Sequence, residues 1–375
     1  MNATQHRISP IDIDSDVASQ VNSLTQERRY GIESAAYISD EWSVNEYLNF
    51  LYGVRLAAFS LMGPGNFNIY NAAGEVTSTD NVAKGKFYKN YFNLEPRFSV
   101  SYLFNEENSV KASYNRNTQN VHILTNATSS SPTDQYVLSS NNIKPEIADQ
   151  VALGYFKNIK ENTYELSAEI YYKWLQNQID YKNAAQLLAN SNVESELIYG
   201  IGRAYGLELF FKKKFGKLNG WVGYTLSRTE RKFTELNSGK YFPARQDRTH
   251  DISLVGIYNM TARWTFSSSF IYSTGNAVTY PAGKYTVGGQ PAYYYTQRNA
   301  GRMPYNMRLD VSATLEGKKK GKYQSSWNFG IYNLLARKNP YSIEFITDPD
   351  NPNKTAAQQT SLFGLIPSVT WNFKF

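Results

Sequence analysis

The chain has 375 residues, with 39 Lys+Arg against 32 Asp+Glu and a formal net charge of +7. It has no cysteine, which excludes disulfide frameworks and thiolate metal sites, and His6, His122 and His250 are too scattered to suggest a metal centre. With 30 Tyr, 20 Phe and 6 Trp beside a charged fraction of 19%, the composition excludes a disordered chain and suits a structure whose ring-rich face alternates with a polar one.

Residues 1–28, beginning MNATQHRISPIDIDSD, carry no basic-then-apolar leader pattern and read as the tail of an external loop. From there about thirteen segments repeat with a period of two, the mark of strands with one apolar and one polar face. They lie near 29–39, 47–60, 94–104, 109–117, 147–157, 163–175, 199–213, 218–229, 249–259, 262–273, 305–316, 322–333 and 363–375. In YELSAEIYYKW, for instance, Tyr164, Leu166, Ala168, Ile170, Tyr172 and Trp174 oppose Glu165, Ser167, Glu169 and Lys173. In MRLDVSATL, Met307, Leu309, Val311, Ala313 and Leu315 oppose Arg308, Asp310, Ser312 and Thr314.

The connections alternate short and long. NEENS, KNIKEN, FGKLN, NMTA and EGKKKGK are short, and the basic run in the last reads as a solvated turn, with no nucleic-acid partner implied. The long ones cover roughly 61–86, 118–146, 176–196, 230–247, 274–304 and 334–362. A soluble sandwich has no reason to gather its long loops at one end, whereas a transmembrane barrel has short periplasmic turns and long external loops. No stretch approaches the ~20 apolar residues of a spanning helix. Tyr164 to Trp174 as a tilted strand rises roughly 23 Å, close to the ~25 Å apolar band of an outer-membrane barrel. Lipid offers no partners to backbone polar groups, so a crossing chain without such helices must be a closed sheet. The fold class expected is all-β, an antiparallel transmembrane β-barrel.

The chain ends in LIPSVTWNFKF, with Val369, Trp371, Phe373 and Phe375 on one side of the last segment. Outer-membrane barrels end with this alternation and a final aromatic, so Trp371, Phe373 and Phe375 resemble the signal read by the barrel-assembly machinery. The stretch YISDEWSVNEYLNFLYGVRL resembles a hairpin of TonB-dependent outer-membrane receptors, and IKPEIADQVALGYFKN is similar to a strand such receptors carry after a long loop. The stretches GRAYGLELFFKKKFGKLNGWVGYTLSRTERKF and YFPARQDRTHDISLVGIY resemble consecutive barrel hairpins of such receptors from Bacteroidota-type bacteria.

That resemblance implies a barrel of about 22 strands blocked by an N-terminal plug. It implies capture of a scarce small extracellular ligand (siderophore, glycan or peptide) and import driven by the proton-motive force through a TonB-type energy-coupling complex. It further implies a bacterial outer-membrane location in contact with outer-membrane lipid, and no catalytic chemistry or cofactor of the receptor's own. On this reading residues 1–28 are an extracellular-loop remnant, residues 29–375 are the C-terminal part of the barrel, and the plug is absent. The alternatives are a passive outer-membrane porin and a soluble all-β ligand-binding protein.

Candidate ligand contacts fall in QPAYYYTQRNAGRMPY, where Tyr293, Tyr294 and Tyr295 offer stacking faces and Arg298 a charge for an anionic group. The same rings also suit loop packing and anchoring in an upper girdle. Arg245, Asp247, Arg248 and Asp251 read as interior charges pairing across strands. GIGRAYG lacks dinucleotide-loop spacing and sits in a strand, and His250 beside Asp251 has no accompanying nucleophile motif.

Overall fold

The computed structural model of the protein describes residues 2–9, 12–13, 24–25, 27–71, 73–124, 134–183, 185, 190, 192–287, 290–318, 322–351 and 354–374. One antiparallel sheet carries the main strands in chain order. They are β1 (Asn2–Ile8), β2 (Arg29–Ser43), β3 (Leu48–Met62), β4 (Phe87–Asn105), β5 (Asn108–Gln119), β6 (Glu146–Ile159) and β7 (Tyr164–Tyr181). There follow β8 (Leu197–Lys213), β9 (Leu218–Lys232), β10 (His250–Asn259), β11 (Trp264–Ser273), β12 (Asn306–Glu316), β13 (Gln324–Tyr332) and β14 (Ile366–Lys374). The described residues contain no α-helix, only the single-turn segments Val193–Glu196 and Asn237–Gly239. Among them no helix is long and apolar enough to cross a membrane.

All thirteen expected segments are strands, those at 29–39 and 249–259 included. The additional strand is β1, which runs from Asn2 opposite Ala35 to Ile8 opposite Arg29. In the sequence these residues read as a loop remnant, because NATQHRI alternates without an apolar side. It is held by its ladder to β2, and a backbone ladder leaves no mark in hydropathy.

Short side-chain caps close the turns at one end. The Asn45 carboxamide oxygen accepts the N–H groups of Tyr47 and Leu48 at 2.9 and 2.8 Å. Asn105 does the same for Glu107 and Asn108 at 3.0 and 2.9 Å, and Thr261 Oγ1 for Arg263 and Trp264 at 3.2 and 3.0 Å. These side chains mimic a backbone acceptor, so a turn of a few residues suffices. At the opposite end the long connections build hairpins of their own, such as Gly65–Tyr70 with Val76–Val82 and Ser342–Thr347 with Thr355–Thr360.

The two faces of the sheet differ as the periodicity requires. On β3, Ala57, Phe59 and Leu61 are buried under loop residues, with Phe59 and Leu61 packed on Phe67 and Leu138. The alternate residue Leu56 is exposed, as are its cross-strand neighbour Leu94 and, beside it, Phe92 at 71%. The same outward parity carries exposed Leu153, Ile170, Leu209, Val222, Leu254, Phe266, Trp327 and Phe329. The buried clusters all lie at the long-loop end. No second layer of comparable size covers the sheet among the described residues, so the sheet is not half of a sandwich.

Charge on the outward face fixes the height of the apolar band. Along β8 that face reads Arg203, Tyr205, Leu207, Leu209, Phe211 and Lys213. Ten residues separate the two cations, a rise of ~23 Å for a strand tilted near 45°.

Pro96 marks where the wall opens toward the loops. Having no N–H to donate, it ends the β4–β5 ladder, whose last pair at that end is Arg97 with Asn115. Glu95 replaces the missing partner: its carboxylate accepts the Thr118 N–H at 3.1 Å and Oγ1 at 2.6 Å. The other carboxylate oxygen takes Arg55 at 2.7 Å. Beyond this point β4 stays paired with β3 as far as Phe87, and β5 with β6 as far as Gln119.

Candidate ligand-binding site

The rings expected to meet ligand lie on the connection between β11 and β12. Its ends are clamped where Ala277–Val278 pairs with Gly301–Arg302 and where Met303 N–H donates to the Asn276 carbonyl at 2.9 Å. Gly275 permits this approach, since a Cβ there would lie 1.7 Å from the Met303 carbonyl oxygen. Within the connection Gly283–Val287 pairs with Gln290–Tyr294, and Lys284 lies opposite Tyr293. Tyr293 is half-buried, whereas Tyr294 and Tyr295 are 56% and 48% exposed. Burial, and then the neighbouring Tyr293 phenol, push the Tyr295 hydroxyl above its ordinary pKa, so it stays a neutral donor.

Arg298 stands behind these rings. Its guanidinium is paired with Asp180 and stacked over the Tyr181 ring at 4.1 Å. Its backbone N–H donates to Asn237 Oδ1 at 2.8 Å, and Asn237 Nδ2 donates back to the Arg298 carbonyl at 3.0 Å. One arginine thus joins three connections: its own, the top of β7 and the β9–β10 loop. Its charge is neutralised by Asp180, so it fixes the ring-bearing hairpin in place.

Arg302 repeats this logic. It pairs with the Asp247 carboxylate and donates to the Asp247 carbonyl at 2.7 Å. Asp247 also receives the Thr229 N–H at 2.5 Å. The expected pairing of interior charges is present for Asp247, with Arg302 as partner. Arg248 donates to Asn276 Oδ1 at 2.7 Å and lies 4.0 Å from Asp251. His250 Nδ1 lies 2.9 Å from the Tyr224 hydroxyl.

A second group of buried polar side chains stiffens the loops above β5–β8. His122 Nε2 lies 3.1 Å from Ser139 Oγ, and its Nδ1 is 3.9 Å from Glu146. Burial lowers the His122 pKa to about 4, so the imidazole is neutral. Burial raises the Glu194 pKa even though Asn142 Nδ2 donates to its carboxylate. Ser139 is fully buried, which leaves this serine–histidine pair without access for a substrate.

The sequence draws attention to Tyr293, Tyr294, Tyr295 and Arg298 but not to the residues that hold Arg298. Asp180, Tyr181, Asn237 and Arg302 occupy strand ends and loops with no local signal. The clearest hint is a carboxylate in QIDYKN, directly after an apolar strand. At the other end of the sheet, Trp371 and Phe373 lie on the outward face of β14 with Val369. Trp371 stacks on Trp327 at 6.0 Å and Phe373 on Tyr323 at 5.8 Å. Phe375 lies outside the described residues.

Comparison with known proteins gives one family. The sequence matches the model described as TonB dependent receptor-like, beta-barrel, over residues 3–334. No curated protein matches the chain. Among solved structures, the ferric-catecholate import receptor Fiu from E. coli K12 aligns with a TM-score of 0.58 at 15% identity, covering 92% of this chain and 45% of that one. The pyoverdine outer-membrane receptor FpvA from Pseudomonas aeruginosa PAO1 aligns with a TM-score of 0.57 at 13% identity, covering 93% and 43%. The ferric preacinetobactin receptor BauA from Acinetobacter baumannii gives 0.55 at 15% identity, covering 92% and 43%. At these identities the likeness is one of fold, and the chain spans less than half the length of each.

Proposed function

The chain belongs to the TonB-dependent receptor-like β-barrel family, and from that premise we propose that it forms wall and external vestibule of a bacterial outer-membrane receptor. The receptor captures a scarce small ligand, a siderophore, glycan or peptide, and imports it. Transport is driven by the proton-motive force through a TonB-type complex acting on a plug outside these residues. Two features of the sheet support a shared wall. Among the described residues β1 pairs only with β2 and β14 only with β13. In hydrocarbon such edges cost several kcal/mol per unpaired group, so further strands must complete them. Assembly into the membrane begins at Trp371, Phe373 and Phe375, recognised by the barrel-assembly machinery.

The observation carrying this reading is the division of the molecule along its strands: an apolar outward band below and a cross-braced loop cage above. Tyr293, Tyr294 and Tyr295 supply stacking surface for the ligand, and Arg298 supplies the brace behind them. Siderophores lead the candidate ligands, because Fiu, FpvA and BauA are receptors for such ferric chelates.

The test is binding by the full receptor of a panel of ferric siderophores, oligosaccharides and peptides, read by intrinsic fluorescence. One class binds, and Tyr294→Ala with Tyr295→Ala weakens it about thirtyfold, since each stacked ring is worth ~1 kcal/mol. Undiminished binding by the double variant would remove the rings from the site.

A further inference from the structure

The loop ribbon that joins β3 to β4 treats its two edges differently. Gly65–Tyr70 pairs with Val76–Val82, with Asn66 opposite Asn81 and Asn68 opposite Thr79. The Asn66 N–H donates to the Glu27 carboxylate at 2.8 Å, and the Asn66 carbonyl accepts Arg29 Nη2 at 2.9 Å. The Asn68 carbonyl accepts the carboxamides of Asn141 and Asn142 at 3.0 and 2.9 Å. Asn66 and Asn68 therefore direct their backbone away from the partner strand, which makes Asn66–Asn81 and Asn68–Thr79 non-hydrogen-bonded pairs of the ladder. Thr79 and Asn81 must then turn their own N–H and C=O groups to the far edge of the ribbon. One edge is covered by four side chains. The other has no strand or hydrogen-bond partner among the described residues and is exposed from Val76 to Asn81.

An open edge is a template for another strand, and proteins ordinarily blunt it with lysine, proline or a covering loop. VTSTDNV has neither lysine nor proline. Its one irregularity is the extra residue Thr77, between the pairs Ile69–Ser78 and Tyr70–Val76, so Ser78–Val82 stays regular. The ribbon is also braced. Phe67 is buried among Phe59, Leu61 and Leu138, stacks on Tyr88 at 4.4 Å and lies under the Arg29 guanidinium at 4.6 Å. The Tyr88 hydroxyl donates to Asp80 at 2.8 Å, and Asn71 Oδ1 accepts the N–H groups of Ala73 and Glu75 at 2.9 and 3.0 Å. Across the strands Thr79 Oγ1 donates to Asn68 Oδ1 at 2.7 Å and Asn81 Nδ2 to Asn66 Oδ1 at 2.8 Å. Pairing with this edge therefore costs the receptor little ordering entropy.

The chemistry of the edge selects its occupant. Thr79 and Asn81 are two residues apart, so their donor and acceptor pairs repeat at ~7 Å. An extended polypeptide backbone presents the complementary pairs at that spacing, whereas a chelate or a sugar ring does not. We propose that Ser78–Val82 captures an extended segment of an extracellular protein partner by β-strand addition. The exposed Asp80 carboxylate favours a cationic side chain on that segment. The inference rests on the receptor reading for the external placement of the loops, and not on the ligand held by the rings.

The experiment uses the full receptor in detergent micelles. The probe is a fluorescein-labelled heptapeptide of alternating threonine and valine with a central lysine, read by anisotropy. Two N-methylated isomers carry the methyl groups at odd or at even positions. Only alternate N–H groups of an added strand face the template, so one isomer binds like the parent and the other is weakened about thirtyfold by two lost hydrogen bonds. The bound parent slows amide exchange at Thr79 and Asn81 about tenfold and leaves Ser78 and Asp80, whose N–H groups face Gly65–Tyr70, unchanged. Asn81→Pro removes one outward donor, leaves the ribbon's own ladder intact and weakens the probe about fivefold, whereas Ser78→Ala does not weaken it. Absent binding, equal effects of the two isomers, or protection that bypasses Thr79 and Asn81 would each overturn the proposal. So would receptor dimers that protect these amides without peptide, which would give the edge to a second copy. Binding at the rings is weakened by Tyr294→Ala with Tyr295→Ala and unchanged by Asn81→Pro, while the probe shows the reverse. Failure of this proposal and failure of the receptor reading are thus distinguishable.

Discussion

Replacing Ile170 by arginine tests the orientation of the wall most directly. Ile170 is 54% exposed on the outward face of β7, between Leu153 and Leu207 on the adjacent strands. It stands six residues above Tyr164, roughly 14 Å along a membrane normal on which the band spans about 25 Å. An arginine there lies near mid-depth, where snorkelling to either headgroup layer is least effective, and the expected cost is ~2–4 kcal/mol. The matched control is its neighbour Glu169, which faces inward opposite Glu208. Glu169→Arg replaces one charge by another on the wet side and relieves a like-charge pair, so its effect is within about 1 kcal/mol of zero. Equilibrium unfolding by guanidinium of protein inserted in phosphatidylcholine vesicles, followed by tryptophan fluorescence, measures both. Equal penalties for the two variants, or a penalty below about 1 kcal/mol for Ile170→Arg, would refute the assignment of faces.

Two further predictions concern the loop cage. Arg298→Ala leaves Asp180 without its cation in a largely buried setting, a change of roughly 3–5 kcal/mol confined to the loop end. It therefore raises proteolytic cleavage in the connections flanking β8 and β10 without shifting global unfolding, and Asp180→Asn in the same background adds little. His122 has a pKa of about 4 in the folded loops, below its ordinary value near 6.5. The unfolded loop therefore binds the extra proton first, and packing around Ser139 weakens as pH falls from about 6.5 toward 4. The buried carboxyl of Glu194 is shifted up and acts with the opposite sign, its contribution declining as pH rises above its unfolded value. The hydrogen-exchange protection factors at Val121–Leu124, corrected for the intrinsic rate, fall between pH 7 and 5, and His122→Gln flattens that change. An unchanged pH dependence in the variant would clear His122 of the effect.

How much of this was legible in the sequence follows from where the ordering forces act. A strand facing lipid on one side and water on the other must alternate residue by residue, because slipping the register by one turns every ring inward. That demand is local, so β7 and β12 are readable from a few residues each. The same holds for the caps: Asn45, Asn105 and Thr261 act within three residues of themselves. β1 escaped notice because its seven residues answer to a neighbouring ladder and to no apolar environment. Loop hairpins such as VTSTDNV and TAAQQT are short, polar and stabilised by pairing alone, so their composition reads as loop.

Arg298 shows the limit of local reading most clearly. Beside three tyrosines it reads as a ligand group, but its partner Asp180 lies 118 residues earlier, on a strand that reaches it only once the sheet has formed. The outward charges reverse the case. Arg203 and Glu230 each break an otherwise apolar alternation, and each alone reads as a blemish near a strand end. Register turns those blemishes into one row across five strands, in which Arg116 meets Asp149 and Arg203 meets Glu230, with rings beneath. A local period therefore builds the wall, while long-range pairs set which charges are spent within the protein and which remain for the membrane or the ligand.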